Sequence, residues 1–306
     1  MGDRATALGL DAPATGKGGT AQLILEGMRP RQWLKNTFVL GGLMFSGLVT
    51  EPDKVAVVLV VFAAFCLTSG ATYLLNDIAD AEADVHNPRT ASRPIARGDL
   101  SPRTALAAAS VAAVVALAAT AAVDVYSLMC LAGFCLLQLA YSLKLKHVLF
   151  LDVMSIAAGF VLRALAGLVP LGVGISEWLL LCTGLLALVL GFGKRRGEAV
   201  ALGGGVNSQR PVLDNYSLGL IDELLAVVTP STVVAYCLYA AVGARTQLML
   251  LTVPFVLYGI FRLLYLLHHR PAVPEDPSVA VLHDMPLLAC VVLWGVTAGL
   301  ISVISV

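Results

Sequence analysis

Long apolar runs separated by short polar connections alternate along most of this chain. Each run is close to the ~20 residues that a helix needs to cross a bilayer core about 30 Å thick. Because a backbone in lipid must satisfy its own hydrogen bonds, such runs predict membrane-spanning α-helices. We predict nine spans, at about 33–50, 55–75, 102–122, 125–143, 148–169, 176–193, 222–243, 246–267 and 286–304. The chain is therefore expected to be an all-α, polytopic membrane protein.

The residues before the first span differ in composition from the rest. Residues 1–28 are rich in Gly, Ala and Thr and lack the apolar core of a cleavable signal peptide. We expect a flexible cytoplasmic tail over 1–28 and one transmembrane domain over 29–306. Near the other end, Gly295 and Gly299 suit close helix packing, either within the chain, which we favour, or in a homo-oligomer.

Composition supports the membrane assignment. Of the 306 residues, 58% are hydrophobic and only 13% are charged, compared with about 25% charged in soluble proteins. The six cysteines lie in apolar runs without metal-site or CxxC spacing, and we interpret them as packing residues. The formal net charge is zero, so the chain lacks the basic surplus of a nucleic-acid-binding protein.

The distribution of Lys and Arg predicts the orientation in the membrane. With nine spans, fourteen of these residues fall on one side, in loops or at the adjoining span ends, and two, Lys54 and Arg245, fall on the other. The positive-inside rule places the richer side and the N-terminus in the cytoplasm, in the cell (inner) membrane. The same side carries nearly all the remaining polar residues, which predicts one functional face open to the cytoplasm.

An acidic cluster follows the second apolar run. Asn76 and Asp77 are followed by Asp80 and Asp84, and on a helix the three aspartates would share one face, away from Glu82. Carboxylates this close repel each other, and a divalent metal is the usual remedy. Mg²⁺ takes few protein ligands and leaves positions for substrate phosphates. The pattern predicts a Mg²⁺ site, with a solvated acidic helix end as the alternative.

Two ionisable residues interrupt the fifth predicted span. Asp152 and Arg163 lie in an apolar run, where charged side chains are costly and usually face a bundle interior or a cavity. Their spacing is about three helical turns, so we expect both to line one cavity, Asp152 near the metal and Arg163 near an anion. A transporter or lipid flippase would also use such a pair.

Cationic clusters lie on the same predicted side. Lys194, Arg195 and Arg196 follow the sixth span, and Arg29, Arg31 and Lys35 precede the first. They are either membrane anchors or a phosphate clamp, since Arg and Lys both bind phosphate oxygens. Carboxylates, a metal and cations together hold a diphosphate and neutralise the charge that builds as it departs.

The acidic motif in this context resembles the first Asp-rich motif of the UbiA superfamily of intramembrane prenyltransferases. The resemblance implies a nine-helix bundle with a cytoplasm-facing Mg²⁺-diphosphate site. Members that use prenyl diphosphates typically carry a second DxxxD motif, whereas the fourth residue after Asp152 is Ile156. Other stretches resemble the phosphoribosyltransferase branch of the superfamily: 29–36, 73–77, 93–96, 145–147, 163–167, 193–198 and 274–276.

That branch implies transfer of 5-phosphoribose from 5-phosphoribosyl 1-diphosphate to a polyprenyl phosphate, in the synthesis of cell-wall arabinan precursors. The resemblance assigns catalysis to Asp77, Asp80, Asp84 and Asp152, the first three as ligands of Mg²⁺. It assigns substrate binding to Lys35, Asn76, Arg93, Tyr141, Lys146, Arg163, Lys194, Arg195, Glu198 and Tyr216. The enzymatic alternative is transfer of a prenyl group from its diphosphate to an aromatic acceptor.

Overall fold

The computed structural model describes residues 19–87, 90–201, 215–269 and 283–305, which form helices and turns with no β-strand among them. The predicted all-α class is confirmed. The α-helices are α1 (Thr20–Gly27), α2 (Gly41–Ser46), α3 (Pro52–Ala79), α4 (Ala81–Val85), α5 (Pro102–Val123), α6 (Val125–Leu143), α7 (Leu151–Leu168), α8 (Glu177–Ala201), α9 (Leu218–Leu238), α10 (Val253–His269) and α11 (Met285–Ile304).

Eight helical segments among the described residues are long and apolar enough to cross a membrane. They correspond to the second through ninth predicted spans, so the assignment as an integral membrane protein holds. The first predicted span is different. It is a 3₁₀ helix over Pro30–Leu40, followed by the short α2 and a 3₁₀ turn over Leu48–Thr50. A continuous ninth helix is therefore not found there, and the orientation in the membrane stays a prediction.

Side-chain caps explain why several long helices begin where they do. Ser101, Asp124, Ser217 and Asp284 each accept a hydrogen bond from the backbone N–H three residues later, at 2.7 to 3.1 Å. These bonds satisfy N–H groups that have no partner within the helix. Short polar connections thus end one apolar helix and start the next.

Small residues bring the broken first segment close to α7. A Cβ added at Gly167 would lie 1.8 Å from the carbonyl oxygen of Val39, and one added at Gly42 would lie 2.8 Å from the Cα of Leu168. Only glycine permits this approach of backbone to backbone. Of the two glycines predicted to pack within the chain, a Cβ added at Gly299 would lie 4.0 Å from the Met44 side chain, while no described atom lies within 4 Å of a Cβ added at Gly295.

Part of the expected flexible tail is helical. Residues 20–27 form α1, in which Leu23 and Gly27 are buried. The helix is tied to the segment before α5 by Arg97, which donates to both carboxylate oxygens of Glu26 at 2.9 and 3.0 Å. The first 18 residues of that tail and the motif at 274–276 lie outside the described residues.

Candidate active site

The acidic cluster is held by two arginines. Asp77, only 2% exposed, receives Arg29 Nη2 at 2.5 Å and Arg93 Nη1 at 3.2 Å on the same oxygen, Oδ1. The same Nη1 of Arg93 lies 2.5 Å from Asp84 Oδ2. Asp77 and Asp84 therefore converge on one cationic nitrogen, as their spacing along the chain predicts. Arg93 was among the predicted site residues, and it is in contact with the acids.

Asp80 departs from the predicted shared face. The helix α3 ends at Ala79, and Asp80 is the residue between α3 and α4. Its side chain is exposed, whereas Asp77 and Asp84 are buried. The prediction assumed one unbroken helix through residue 84, and the break turns Asp80 to solvent. Glu82, which was predicted to lie away from the three aspartates, is exposed.

Arg29 reaches Asp77 from a left-handed backbone. Its φ of 53° and ψ of 68° are rare for a residue with a side chain, and such geometry is concentrated at functional sites. The Tyr73 ring lies 4.9 Å from the guanidinium carbon of Arg29, close enough for a cation–π contact. Trp33 Nε1 donates to the Met28 carbonyl at 3.1 Å and holds this turn in place.

Sequence reasoning noted Arg29 as part of a cationic run but did not assign it to the site. The available signal was its position, immediately before Pro30 at the start of the transmembrane domain. Its partner Asp77 is 48 residues away along the chain, and no local pattern predicts that contact.

A second buried cluster surrounds Asp152. Its Oδ2 lies 2.8 Å from Arg195 Nε, and the two side chains are 0% and 1% exposed. Nε of Arg195 and Oδ2 of Asp152 form a close ion pair, but their geometry is not that of a hydrogen bond. Neither atom has a hydrogen-bond partner among the described residues. The other oxygen, Oδ1, accepts from the Tyr216 hydroxyl at 2.8 Å.

Tyr216 connects this carboxylate to the start of α7. Its hydroxyl oxygen accepts from the backbone N–H of Phe150 at 3.0 Å, and Phe150 also has a positive φ, of 65°. Burial, assisted by the hydrogen bond to Asp152, raises the pKa of Tyr216 above its ordinary value. The phenol therefore stays protonated and remains a donor to Asp152.

The rest of the Arg195 guanidinium joins α8 to α6. Its Nη1 pairs with Glu198, and its Nη2 donates to the Tyr141 hydroxyl at 3.3 Å. One residue along, Ser142 donates to Asn76 Oδ1 at 3.5 Å, which is a long hydrogen bond. This contact links the Asp152 cluster to the acidic cluster, since Asn76 precedes Asp77. The predicted grouping of polar residues at one end of the bundle is thus observed.

Arg163 lies apart from both clusters. Its Nε donates to Asn36 Oδ1 at 2.7 Å, and its Nη1 donates to the Gly159 carbonyl at 2.9 Å. The rings of Phe134 and Phe160 lie 4.3 and 5.3 Å from its guanidinium carbon. These contacts join α7 to α6 and to the 3₁₀ segment, and no contact with Asp152 is found. The predicted shared cavity is not observed, and a role in anion binding stays a prediction.

The predicted lysines are outside the ion pairs described above. Lys35 is on the 3₁₀ segment, Lys146 is in the turn before α7, and Lys194 precedes Arg195; all three are partly exposed. Arg196 instead pairs with Asp222 at 2.7 Å and donates to the Leu267 carbonyl at 2.8 Å. It therefore fastens α8 to α9 and α10.

The acidic cluster offers Mg²⁺ two carboxylates of the preferred ligand type. Among the described residues, no group of three or more His, Cys, Asp or Glu side chains is arranged to hold a metal ion. Asp77 and Asp84 nevertheless converge on a shared cation, and carboxylate oxygens are the ligands that Mg²⁺ prefers. Two carboxylates fit an ion that takes its other ligands from water and phosphates.

An open apolar groove of about 500 Å³ lies beside the acidic cluster, between α1, α3 and α5. It is lined by Ile24, Met28, Leu67, Thr104, Ala107, Ala108, Val111, Ala112 and Val115. Met28 precedes Arg29, so one end of the groove adjoins the ion pair of Arg29 with Asp77. Its lining is almost entirely apolar, which suits a hydrocarbon chain.

A family model decides the relationship of this chain to known proteins. The model of the UbiA prenyltransferase family matches residues 37–283. The chain belongs to the UbiA prenyltransferase family. Asp77, Asp84, Asp152 and Arg195 all fall within the matched region, and Arg29 lies just before it.

Within this family, the chain is similar to proteins named decaprenyl-phosphate phosphoribosyltransferase. The chain is 30% identical to the decaprenyl-phosphate phosphoribosyltransferase of Mycolicibacterium smegmatis, over 90% of this chain and 91% of that protein. It is 32% identical to the decaprenyl-phosphate phosphoribosyltransferase of Corynebacterium glutamicum, over 71% of this chain and 66% of that protein. The predicted resemblance to the UbiA superfamily, and to this branch of it, is confirmed.

The fold is also that of solved UbiA proteins. A UbiA homologue from Archaeoglobus fulgidus, bound to GPP and Mg²⁺, matches with a TM-score of 0.71 at 17% identity. The match covers 92% of this chain and 99% of that one. At this identity the likeness establishes the arrangement of helices alone.

Proposed function

We propose that this UbiA-family chain transfers 5-phosphoribose from 5-phosphoribosyl 1-diphosphate to the phosphate of a polyprenyl phosphate such as decaprenyl phosphate. The observation that carries the proposal is the 30% identity, over nine tenths of the chain, to a protein named for this reaction. The product would be a precursor for cell-wall arabinan. The site would face the cytoplasm, with the N-terminus inside, and the broken segment over 30–50 would complete the ninth crossing.

In this reaction a phosphate oxygen of the acceptor forms a bond to the anomeric carbon as the bond to the diphosphate breaks. An acceptor phosphate is already anionic and needs no strong base. Alignment and charge placement therefore supply most of the rate. Mg²⁺ held by Asp77 and Asp84, and by Asp80 if it turns inward, would neutralise charge on the departing diphosphate. We propose that the phosphate oxygens of the donor bind to Arg29, Arg93, Lys35, Lys146 and Lys194.

The surroundings of Asp152 favour this donor over a prenyl diphosphate. A second DxxxD motif would place another carboxylate at position 156, where Ile156 packs against the apolar cluster of Ala157, Phe160 and Ala187. Asp152 itself is paired with Arg195. The second half of the site therefore lacks the carboxylate pair of a second DxxxD motif, which favours a donor other than a prenyl diphosphate.

Ligand binding separates the two donors. In detergent, 5-phosphoribosyl 1-diphosphate with Mg²⁺ should raise the unfolding temperature, because a ligand at about 100 times its Kd stabilises by about 2.7 kcal/mol. Geranyl diphosphate should not raise it above the value with Mg²⁺ alone, and a chelator should remove the effect of the phosphoribosyl donor. The reverse pattern would support prenyl transfer to an aromatic acceptor instead.

We further propose that the polyprenyl chain of the acceptor lies in the groove beside Met28. Ala108→Phe should raise the KM for a long-chain polyprenyl phosphate about tenfold with little change in kcat. Displacing two CH₂ groups from apolar contact costs about 1.6 kcal/mol, and 1.4 kcal/mol is tenfold in affinity. The matched control is Ala118→Phe, on the same helix α5 but outside the groove. Equal KM values for the two variants would place the chain elsewhere.

A further inference from the structure

Arg93 occupies the point where the two buried carboxylates of the acidic cluster meet. Its Nη1 is within 3.2 Å of both Asp77 Oδ1 and Asp84 Oδ2. The Arg93 side chain is 25% exposed, while those of Asp77 and Asp84 are 2% and 8% exposed. The acids are thus covered by a cation that is itself accessible from outside the bundle.

The backbone position of Arg93 permits the side chain to change partners. Arg93 belongs to the turns between α4 and α5 and to no helix. Arg29, by comparison, contacts Asp77 but has no ion pair with Asp84. Arg93 is therefore the residue whose cation bridges Asp77 and Asp84, whereas Arg29 contacts Asp77 only.

A guanidinium and a divalent cation are attracted to the same two carboxylates, and each reduces the negative charge that attracts the other. Binding of Mg²⁺ between Asp77 and Asp84 therefore requires Nη1 of Arg93 to move. The freed guanidinium is then next to the metal, where phosphate oxygens complete the Mg²⁺ shell, and its planar fork suits such oxygens.

We propose that Arg93 competes with the divalent metal for Asp77 and Asp84, and that metal binding transfers its guanidinium to a phosphate of the donor. Arg93 is then a positioning residue with two alternating partners. The metal and the diphosphate donor belong to the proposed function. The exchange itself concerns only a divalent cation and a diphosphate group, which both candidate donors contain.

Mg²⁺ titration without substrate tests the competition. For Arg93→Gln, the Mg²⁺ concentration that gives half of the maximal thermal stabilisation should fall about tenfold, since a cation next to the site shifts ionic equilibria by 1–3 pK units. The matched control is Arg97→Gln, which removes the same charge from the same segment but breaks ion pairs with Glu26 and Asp99. An unchanged or higher midpoint for Arg93→Gln than for Arg97→Gln would overturn the competition.

Arg93→Lys covers the case in which the Gln variant does not fold. The Lys ammonium is a strongly hydrated point charge on a flexible stem, so it should hold the two carboxylates less firmly than Arg93, and this midpoint should also fall, by a smaller factor. A midpoint equal to that of the unmodified protein would overturn the competition in the same way.

Binding of inorganic diphosphate at saturating Mg²⁺ tests the transfer of Arg93 to phosphate. Arg93→Gln should weaken diphosphate binding about tenfold, whereas Arg97→Gln should not change it. Equal binding by both variants would overturn this step. Because neither measurement uses 5-phosphoribosyl 1-diphosphate, failure of that donor to bind would overturn the proposed function and leave both results unaffected.

Discussion

Asp77→Asn is expected to lower kcat by at least about a hundredfold while the protein stays folded. Removing one group that stabilises developing charge typically costs 10²–10³ in kcat, and Asp77 is both buried and at the centre of the acidic cluster. The amide keeps the size of the side chain but loses the charge that Mg²⁺ and the two arginines share. Asp84→Asn should behave in the same way, because its carboxylate meets Asp77 at Arg93.

Two neighbouring acids test whether this loss is specific. Glu82→Gln should leave turnover within about twofold, since an exposed surface side chain has little effect on its surroundings. Asp80→Asn should cause a smaller loss than Asp77→Asn, because the carboxylate of Asp80 is exposed at the break between α3 and α4. The comparison is made by initial rates at saturating Mg²⁺, with the unfolding temperature of each variant as the check on folding. Near-normal turnover of Asp77→Asn would rule out its role in holding the metal.

The second large effect is on stability and concerns the pair of Asp152 and Arg195. Arg195→Gln should lower the free energy of unfolding by about 3 kcal/mol, because breaking a buried ion pair leaves an uncompensated charge. Asp152 is completely buried, and in this variant only the Tyr216 hydroxyl would remain to stabilise the carboxylate. The loss is measured by denaturant unfolding in detergent.

The matched control is the adjacent residue. Arg196→Gln breaks an ion pair whose acid, Asp222, is 43% exposed, and such pairs contribute about 1 kcal/mol or less. The double variant Asp152→Asn with Arg195→Gln should recover part of the loss, since it removes both buried charges. If Arg195→Gln is no more destabilising than Arg196→Gln, Asp152 and Arg195 do not form the stabilising contact inferred here.

Spacing along the chain was sufficient to predict the spans and the acidic pair. Eight predicted spans agree with observed helices to within a few residues at most ends, because a bilayer-length apolar run has few structural alternatives. Asp77 and Asp84 converge as helical periodicity predicts, although α3 ends at Ala79 between them. The exposure of Asp80 could not be predicted in this way, because no Gly or Pro in the sequence signals the end of α3 at Ala79.

Long-range partners explain what spacing could not predict. Arg163 was expected to bind an anion because an unpaired charge in a span is costly, but Asn36 and the Phe134 ring stabilise it from other segments, and Phe160 stabilises it from the same helix. Arg195 was expected to bind phosphate, yet it is buried and occupied by Asp152, Glu198 and Tyr141. Which acid meets which base depends on packing between helices, and a single sequence does not encode that in any local pattern.

Transfer of labelled ribose to lipid tests the proposed reaction most directly. Membranes that contain the protein are incubated with Mg²⁺, a polyprenyl phosphate and phosphoribosyl diphosphate labelled in the ribose, and the organic-soluble label is counted. We predict labelled lipid that requires both substrates and is lost in Asp77→Asn, while label placed in the diphosphate stays in the water phase. No labelled lipid, together with transfer of a prenyl group from its diphosphate to an aromatic acceptor, would contradict the proposed function.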